Sequence, residues 1–145
     1  MKTADLSLIK QFEGLRLVAY QDVIGVWTIG YGTTRYPNGI KVKKGDVITK
    51  AQAEDYLRND VRKFELELDN LLQVKLKQNQ YDALISFVYN LGSKNLSSST
   101  LLKRINKNPL DPNIGVSWKQ WINAGGKPVN GLKIRREKEY ELYAK

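Results

Sequence analysis

Residues 12–34 read FEGLRLVAYQDVIGVWTIGYGTT, a stretch in which the hydrophobic pattern changes from helical to extended. Just upstream, apolar residues recur at helical spacing over residues 6–12, which predicts a short helix that ends near Gly14 and carries Glu13 at its carboxyl end. From about residue 17 to residue 47, apolar residues alternate with polar or small ones, which is typical of a half-buried sheet. The stretch therefore predicts a small antiparallel sheet that is entered from a helix.

The rest of the chain is predicted to be helical. Thr49 and Gln52 have the spacing of a capping box, and the apolar face after them predicts one long helix. Shorter helices are predicted between Lys77 and Gly92 and at residues 101–105, 114–122 and 134–143. We expect a mostly helical α+β fold in one domain, residues 1–145. Its parts are a sheet lobe at about 13–50, a connecting helix at about 50–72, and a helical lobe at about 73–145 with the amino-terminal helix.

The composition restricts the chemistry of the protein. The 145-residue chain has 24 Lys and Arg against 15 Asp and Glu, a net charge of +9, which favours an anionic partner such as nucleic acid, acidic lipid or bacterial cell wall. It has no cysteine and no histidine, which excludes disulfides, thiolate metal sites and hydrolases built on Ser–His or Cys–His pairs. Acid–base chemistry therefore falls mainly to carboxylates. No apolar run has the length of a signal peptide or a membrane span, so we expect a soluble cytoplasmic protein without stable membrane insertion.

Two carboxylates and a hydroxyl follow one another in the opening stretch. Glu13 and Asp22 are the residue types that glycoside hydrolysis needs, one as a protonated acid and one as an ionised carboxylate. Apolar neighbours favour a partly desolvated, protonated Glu13, whereas a polar turn favours an ionised Asp22. Thr28 shares its strand face with Gly30 and Gly32, so we expect its hydroxyl on an open surface where it could hold a water. Taken singly, these are more often a surface residue, a turn former and a strand residue, and only their joint order favours catalysis.

The order Glu, eight residues, Asp, five residues, Thr resembles the phage-type lysozymes of glycoside hydrolase family 24, the endolysins of tailed phages and prophages. The flanking sequences EGLRLVAY and TIGYG are similar to blocks of that family. Three later stretches resemble its central helix, the segment after that helix and its carboxyl-terminal block: NQYDALISFVYNLG at 79–92, SSSTLLKRIN at 97–106 and WINAGGKPVNGLKIRREKEYELY at 121–143. The resemblance covers nearly the whole chain.

The resemblance implies a lysozyme-like fold with a cleft between the sheet lobe and the helical lobe. It implies a muramidase that hydrolyses the β-1,4 bond between N-acetylmuramic acid and N-acetylglucosamine in peptidoglycan and so lyses the host cell, with no metal and no organic cofactor. Glu13 is then the general acid, and Asp22 and Thr28 position the nucleophilic water. Attack from the opposite face would invert the anomer and place the two carboxyl groups roughly 6.5 to 9.5 Å apart. The enzyme would be a monomer that does not bind nucleic acid, made in the host bacterial cytoplasm and acting in the periplasm or cell wall.

The same resemblance places substrate contacts on the strand after Thr28 and at the end of the central helix. The residues are Tyr31, Thr34, Tyr89 and Asn90, with Ser99 and Thr100 as further candidates. Tyr89 either stacks on a sugar ring or belongs to the core at helical spacing. Many family members carry a histidine near the TIG-G block, where this chain has Tyr31, Thr33 and Thr34. The resemblance therefore supports the sugar contacts near Thr34 less directly than the three catalytic positions, which all match.

The remaining tryptophans and a pair of arginines have structural interpretations. We expect Trp118 and Trp121 in the core of the helical lobe, and Trp27 packed on the opposite strand face from Thr28. Arg135 and Arg136 are expected on a solvated helix face, with contact to the anionic wall as the alternative.

Two other functions stay open from the sequence. A catalytically silent peptidoglycan-binding protein that keeps the fold would lack one of the three catalytic residue types, and none is missing. A basic nucleic-acid-binding domain would cluster its Lys and Arg with exposed aromatic residues, whereas the charges here are spread along the chain.

Overall fold

Helices make up most of the secondary structure in the computed structural model, which describes residues 2–145. The helices are α1 (Ser7–Glu13), α2 (Lys50–Leu71), α3 (Gln78–Leu91), α4 (Ser93–Ser97), α5 (Thr100–Lys107), α6 (Ile114–Trp118) and α7 (Asn130–Tyr143). The strands are β1 (Arg16–Gln21), β2 (Trp27–Gly30), β3 (Asn123–Ala124) and β4 (Lys127–Pro128). The prediction of a mostly helical α+β fold with a small antiparallel sheet is confirmed.

The chain divides into two units. The sheet unit spans residues 6–63, and the helical unit comprises the residues up to Asp5 together with residues 64–145. Helix α1 lies in the sheet unit, whereas the sequence-based division placed it with the helical lobe. An ion pair between Lys10 Nζ and Glu54 Oε1, 3.2 Å long, joins α1 to α2 within the sheet unit.

Strands β1 and β2 of the sheet unit pair antiparallel, with Tyr20 opposite Thr28. The register shifts between Arg16 and Tyr20, which interrupts the ladder in the middle of β1. At this interruption β1 contacts a third segment instead, because Val18 forms an antiparallel bridge with Val47. The sheet therefore has a regular ladder only at its turn end.

The predicted strand around residues 40–42 forms only an isolated bridge, between Arg35 and Lys41. The predicted turn is present, since the Gly39 N–H donates to the Tyr36 carbonyl at 2.8 Å. The hairpin around this turn is too short for a regular ladder, so the sheet of this unit has two strands.

Helix α2 begins at the predicted capping box. The Gln52 N–H donates to Thr49 Oγ1 at 3.1 Å, and the Thr49 N–H donates to Gln52 Oε1 at 2.9 Å. These two bonds satisfy amide groups that a helix start otherwise leaves without partners. The predicted apolar face is buried at Ala53, Leu57, Val61 and Leu68.

In the helical unit, α3 packs against α7 and ends before Gly92 as predicted. Helix α6 ends at Trp118, four residues earlier than the predicted end at 122, and α7 begins at Asn130 instead of 134. The reason is the β3–β4 hairpin between them, which the sequence analysis did not predict. Trp118 is fully buried, and Trp121 is half-buried with its ring edge-on to Phe87, 5.8 Å between centroids. Trp27 in the sheet unit is also half-buried.

The pair Arg135 and Arg136 is buried in α7, so the prediction of a solvated face is wrong, as is the alternative of contact with the anionic wall. Glu139, one turn further along α7, pairs with Arg135 Nε at 3.3 Å and with Arg136 Nε at 2.8 Å. Ser86 Oγ and Trp118 Nε1 donate to the same carboxylate at 2.6 and 3.1 Å. The two cations are tolerated inside the unit because Glu139 neutralises part of their charge.

Two kinds of feature are absent from residues 2–145. No helix there has the length and apolar character to cross a membrane. No group of three or more Asp, Glu, His or Cys side chains in that range is placed to hold a metal ion.

Candidate active site

Glu13 is the last residue of α1 and is half-buried. Gly14 follows with a φ of 72°, a left-handed conformation that lets the chain leave the helix at once and enter β1. A side chain at Gly14 would meet nothing within 4 Å, so the backbone angle and not the space requires glycine. The prediction that Glu13 lies at the carboxyl end of a helix is confirmed.

Asp22 organises the turn between β1 and β2. Its Oδ1 accepts hydrogen bonds from the N–H of Ile24 at 3.0 Å and of Val26 at 2.9 Å. The Gly25 N–H closes the turn on the Asp22 carbonyl at 2.9 Å. Both side-chain bonds use Oδ1, which leaves Oδ2 of this half-buried residue for another partner. Asp22 is therefore a turn former with one carboxylate oxygen to spare.

The side chains of Thr28 and Asp22 both form hydrogen bonds with the backbone of Val26. Its Oγ1 donates to the Val26 carbonyl at 3.0 Å, while the Val26 N–H donates to Asp22 Oδ1 at 2.9 Å. With its proton committed to Val26, the Thr28 hydroxyl retains lone pairs that can accept from a further donor. The structure therefore brings two of the three predicted residues together, on either side of Val26.

The face of β2 around Thr28 is not the open surface that the glycines predicted. Thr28 is 4% exposed and Gly30 is also buried. A Cβ built on Gly30 would lie 3.4 Å from the Cβ of Ala53, so helix α2 covers this part of the strand. Gly30, with a φ of 68°, thus serves the close approach of α2, and the prediction of an open surface is wrong.

The two sheet-unit candidates for substrate binding have different surroundings. Tyr31 is 5% exposed, and the Lys10 ammonium lies 5.8 Å from the centre of its ring. Thr34 is exposed, and its carbonyl accepts from the Val42 N–H at 3.0 Å. Thr34 is therefore the more accessible of the two.

The two helical-unit candidates, Tyr89 and Asn90, close helix α3 and are both half-buried. The Tyr89 ring is edge-on to Phe64, with 5.8 Å between centroids. Asn90 Oδ1 accepts from Arg136 Nη2 at 2.8 Å, which orients its amide so that Nδ2 is the group left to donate. Arg136 is held in turn by Glu139.

Of the two further candidates, Ser99 has a structural role and Thr100 lines a cavity. Ser99 is buried and caps α5, because its Oγ accepts from the Leu102 N–H at 3.0 Å. The cavity, about 390 Å³ and within the helical unit, is lined by Leu91, Thr100, Leu101, Ser117, Gln120, Trp121 and Asn123. Gln120 and Asn123 were not predicted as site residues: Gln120 lies in the segment predicted as a helix at residues 114–122, and Asn123 lies in β3, which was not predicted.

A carboxyl group that the sequence did not single out lies next to β2. Asp60 on α2 accepts a hydrogen bond from Thr33 Oγ1 at 2.7 Å. Burial raises the pKa of the Asp60 carboxyl, and the hydrogen bond from Thr33 lowers it by a smaller amount. In the sequence, Asp60 stands three residues after the buried Leu57 and directly before the buried Val61, which places it at the border of the apolar face.

The raised pKa of Asp60 predicts how the free energy of unfolding changes with pH. The folded protein holds the Asp60 proton more tightly than the unfolded chain does, so the unfolded chain loses its proton first as the pH rises. We expect the free energy of unfolding to decline from just above the ordinary pKa of 3.8 up to the raised value. Asp60→Asn should lack this component, so its unfolding midpoint relative to the parent should rise between acidic and neutral pH. Equal midpoint differences at all pH values would contradict the assignment.

Comparison with known proteins places this geometry in a family. A family model described as phage lysozyme matches residues 10–139. An endolysin of Acyrthosiphon pisum secondary endosymbiont phage 1 is 42% identical over 142 residues, which cover 95% of this chain and 93% of that protein. An endolysin of Bacillus phage B103 is 44% identical over 142 residues, covering 97% of this chain but 52% of that longer protein. The solved structure of an endolysin from Escherichia coli O157:H7 phage FAHEc1 is similar with a TM-score of 0.89 at 42% identity, covering 99% of this chain and 93% of that one. The protein therefore belongs to the phage lysozyme family, and it is a lysozyme, a glycosidase that hydrolyses bacterial peptidoglycan.

Proposed function

We propose that Glu13, Asp22 and Thr28 are the catalytic group of this lysozyme, and that it is a muramidase. The bond cleaved is the β-1,4 bond between N-acetylmuramic acid and N-acetylglucosamine. The observation that carries the proposal is the joint attachment of Asp22 and Thr28 to Val26. Two side chains that share one backbone residue keep their mutual geometry, which a pair of water-holding groups requires.

Glu13 acts as the general acid. It protonates the glycosidic oxygen while the bond to the anomeric carbon breaks, so the leaving sugar departs as a neutral alcohol. Its half-buried place at the end of α1 supports this role, because the side chain is held by a helix yet is not enclosed. After the products leave, Glu13 regains a proton from solvent, and the base that deprotonated the water releases one to solvent.

Asp22 and Thr28 hold the nucleophilic water. Asp22 Oδ2, which the turn does not use, accepts one proton of the water and acts as the base, while Thr28 Oγ1 accepts the other as a hydrogen bond. The water oxygen then attacks the anomeric carbon from the face opposite Glu13, and the anomer is inverted. Inversion requires a single displacement, with no covalent bond between the enzyme and the sugar.

Each unit has its own candidates for substrate binding. In the sheet unit, Thr34 is the accessible candidate and Tyr31 supports the loop after β2 from inside. In the helical unit, Tyr89 is half-buried beside Phe64, and Asn90 offers its amide Nδ2 to sugar hydroxyl or acetamido oxygens. The cavity at Thr100 and Trp121 offers further polar contacts.

The biological setting follows from the endolysin relatives. We place synthesis of the enzyme in the host bacterial cytoplasm, its action in the periplasm or cell wall, and its outcome in lysis of the host. It works as a monomer, and size-exclusion chromatography with light scattering should give the 16.6 kDa mass of one chain. The net charge of +9 favours approach to an anionic wall, so salt should slow lysis.

Product analysis tests the reaction. Purified peptidoglycan is digested, the new reducing ends are labelled by borohydride reduction, and the hydrolysed fragments are separated. We expect label in muramitol, whereas label in glucosaminitol would identify a glucosaminidase and release of new amino termini would identify an amidase. Proton NMR of the first product formed should show the α-anomer, and an initial β-anomer would contradict inversion.

A further inference from the structure

We propose that Asp60 is a positioning residue for Thr28: through Thr33, it fixes the strand that carries the hydroxyl proposed to hold the water. This inference rests on the function proposed above for Thr28. All the residues concerned belong to the sheet unit, residues 6–63.

A short chain of contacts links Asp60 to Thr28. Thr33 is 1% exposed, and its Oγ1 donates to Asp60 Oδ2 at 2.7 Å. Thr33 and Ile29 exchange two backbone hydrogen bonds, Ile29 N–H to the Thr33 carbonyl at 2.8 Å and Thr33 N–H to the Ile29 carbonyl at 2.9 Å. Ile29 is fully buried and is the covalent neighbour of Thr28. A shift of Thr33 therefore reaches Thr28 through a single residue.

The strand needs this anchor because its pairing with β1 is interrupted just after Thr28. Thr28 itself lies opposite Tyr20, but the ladder loses its register between Tyr20 and Arg16, so Ile29 has no paired residue in β1. On the other edge, the loop that closes on Thr33 contains Gly30 and Gly32, with φ values of 68° and 106°. Glycine leaves such a loop with more accessible conformations than any other residue would. The hydrogen bond from Thr33 to the rigid helix α2 removes that freedom.

The environment of Asp60 supports a role beyond stability. Burial raises the pKa of its carboxyl even though Thr33 donates to it, so ionising Asp60 costs more free energy in the folded protein than in the unfolded chain. An apolar residue at the border of the buried face of α2 would avoid that cost. A carboxylate at this position therefore lowers the free energy of unfolding, and we attribute its presence to the orientation that it gives Thr33.

Two variants remove the bond from either side. Thr33→Val keeps the shape of the side chain without its hydroxyl, and Asp60→Ala removes the acceptor from the half-buried helix face. With soluble glycan strands as substrate, at a temperature where circular dichroism shows each variant folded, we expect kcat to fall about tenfold or more with KM within about twofold of the parent. A merely structural bond would leave kcat of the folded fraction unchanged.

Three controls separate positioning from folding. Thr33→Ser keeps the hydroxyl, and Asp60→Asn keeps an oxygen that can accept from it, so both should retain kcat within about twofold. Tyr36→Phe removes another side-chain hydrogen bond of the same unit, the 2.8 Å bond from the Tyr36 hydroxyl to Asp46, and should leave kcat unchanged. Parental kcat in both Thr33→Val and Asp60→Ala would overturn the inference.

A double variant tests whether the effect passes through Thr28. If Thr33 acts by placing the Thr28 hydroxyl, then Thr28→Val combined with Thr33→Val should lower kcat no further than Thr28→Val alone. Additive losses would overturn the inference while leaving the role of Thr28 intact. An unchanged kcat in Thr28→Val would instead overturn the proposed function of Thr28, and this inference with it.

Discussion

Lysis is expected to fall by about 10²- to 10⁴-fold when Glu13 is replaced by glutamine, the range that loss of a general acid produces. The amide has nearly the same shape as the carboxylic acid but cannot give up a proton at neutral pH, so the leaving sugar would have to depart as an alkoxide. Clearing of outer-membrane-permeabilised bacteria measures the loss, and release of reducing ends from purified peptidoglycan measures it without other wall enzymes.

The fold should not change in this variant, because Glu13 is half-buried at the last position of α1 and its replacement keeps the side-chain volume. Circular dichroism and the thermal midpoint of Glu13→Gln should therefore match the parent. Glu137→Gln is the matched control, since it makes the same chemical change at an exposed position of α7. Undiminished lysis by Glu13→Gln would overturn its assignment as the acid, and equal losses in both variants would point to charge alone.

Local patterns in the sequence predicted the elements whose determinants are local. The capping box at Thr49 and Gln52 and the apolar spacing after it located α2 to within one residue at each end. Gly14 and Gly92 marked helix ends because glycine readily adopts the positive φ values that end a helix, here 72° and 88°. Such features depend on residues three or four apart, which a pattern in the sequence displays directly.

Features that depend on distant partners were missed or misjudged. Gly30 indicated an open strand face. In the structure its lack of a side chain lets Ala53 of α2 pack close to the strand, and the sequence around Gly30 gives no indication of that contact. Arg135 and Arg136 have the composition of a solvated face, but in the structure they contact another helix, Arg135 at Ser86 and Arg136 at Asn90. Contacts of this kind are formed by tertiary packing, so the sequence alone could not supply them.

The candidate site also contains residues with local sequence signals and residues without them. Glu13 at a helix end and Asp22 in a turn are local predictions that the structure confirms. Asp60 carries no local signal beyond its place at the border of an apolar face, and its partner Thr33 lies in a loop before the helix. The spacing of the three catalytic candidates could be read from the sequence, but what holds Thr28 in place could not.

The largest loss of stability is expected from Glu139→Gln in α7, at about 3–5 kcal/mol in the free energy of unfolding. Glu139 is fully buried and accepts from Arg135, Arg136, Ser86 and Trp118. Burial lowers the pKa of the Arg136 guanidinium, while the Glu139 carboxylate opposes that shift. Without the carboxylate, both guanidinium groups stay buried and lose the counter-charge that Glu139 supplies. Urea unfolding followed by circular dichroism measures the loss.

A matched change on the same helix separates the buried charge from the chemistry of the substitution. Glu141→Gln removes a carboxylate that is 65% exposed and lies 3.7 Å from Lys138, so it should change the free energy of unfolding by less than about 1 kcal/mol. A loss of similar size in both variants would contradict the prediction.

Replacing the whole cluster, with Arg135→Met, Arg136→Met and Glu139→Leu together, should recover most of the stability, because the three charged groups are then removed together. That triple variant would still lack the donor to Asn90 Oδ1, so a folded protein with a raised KM would assign the orientation of Asn90 to Arg136.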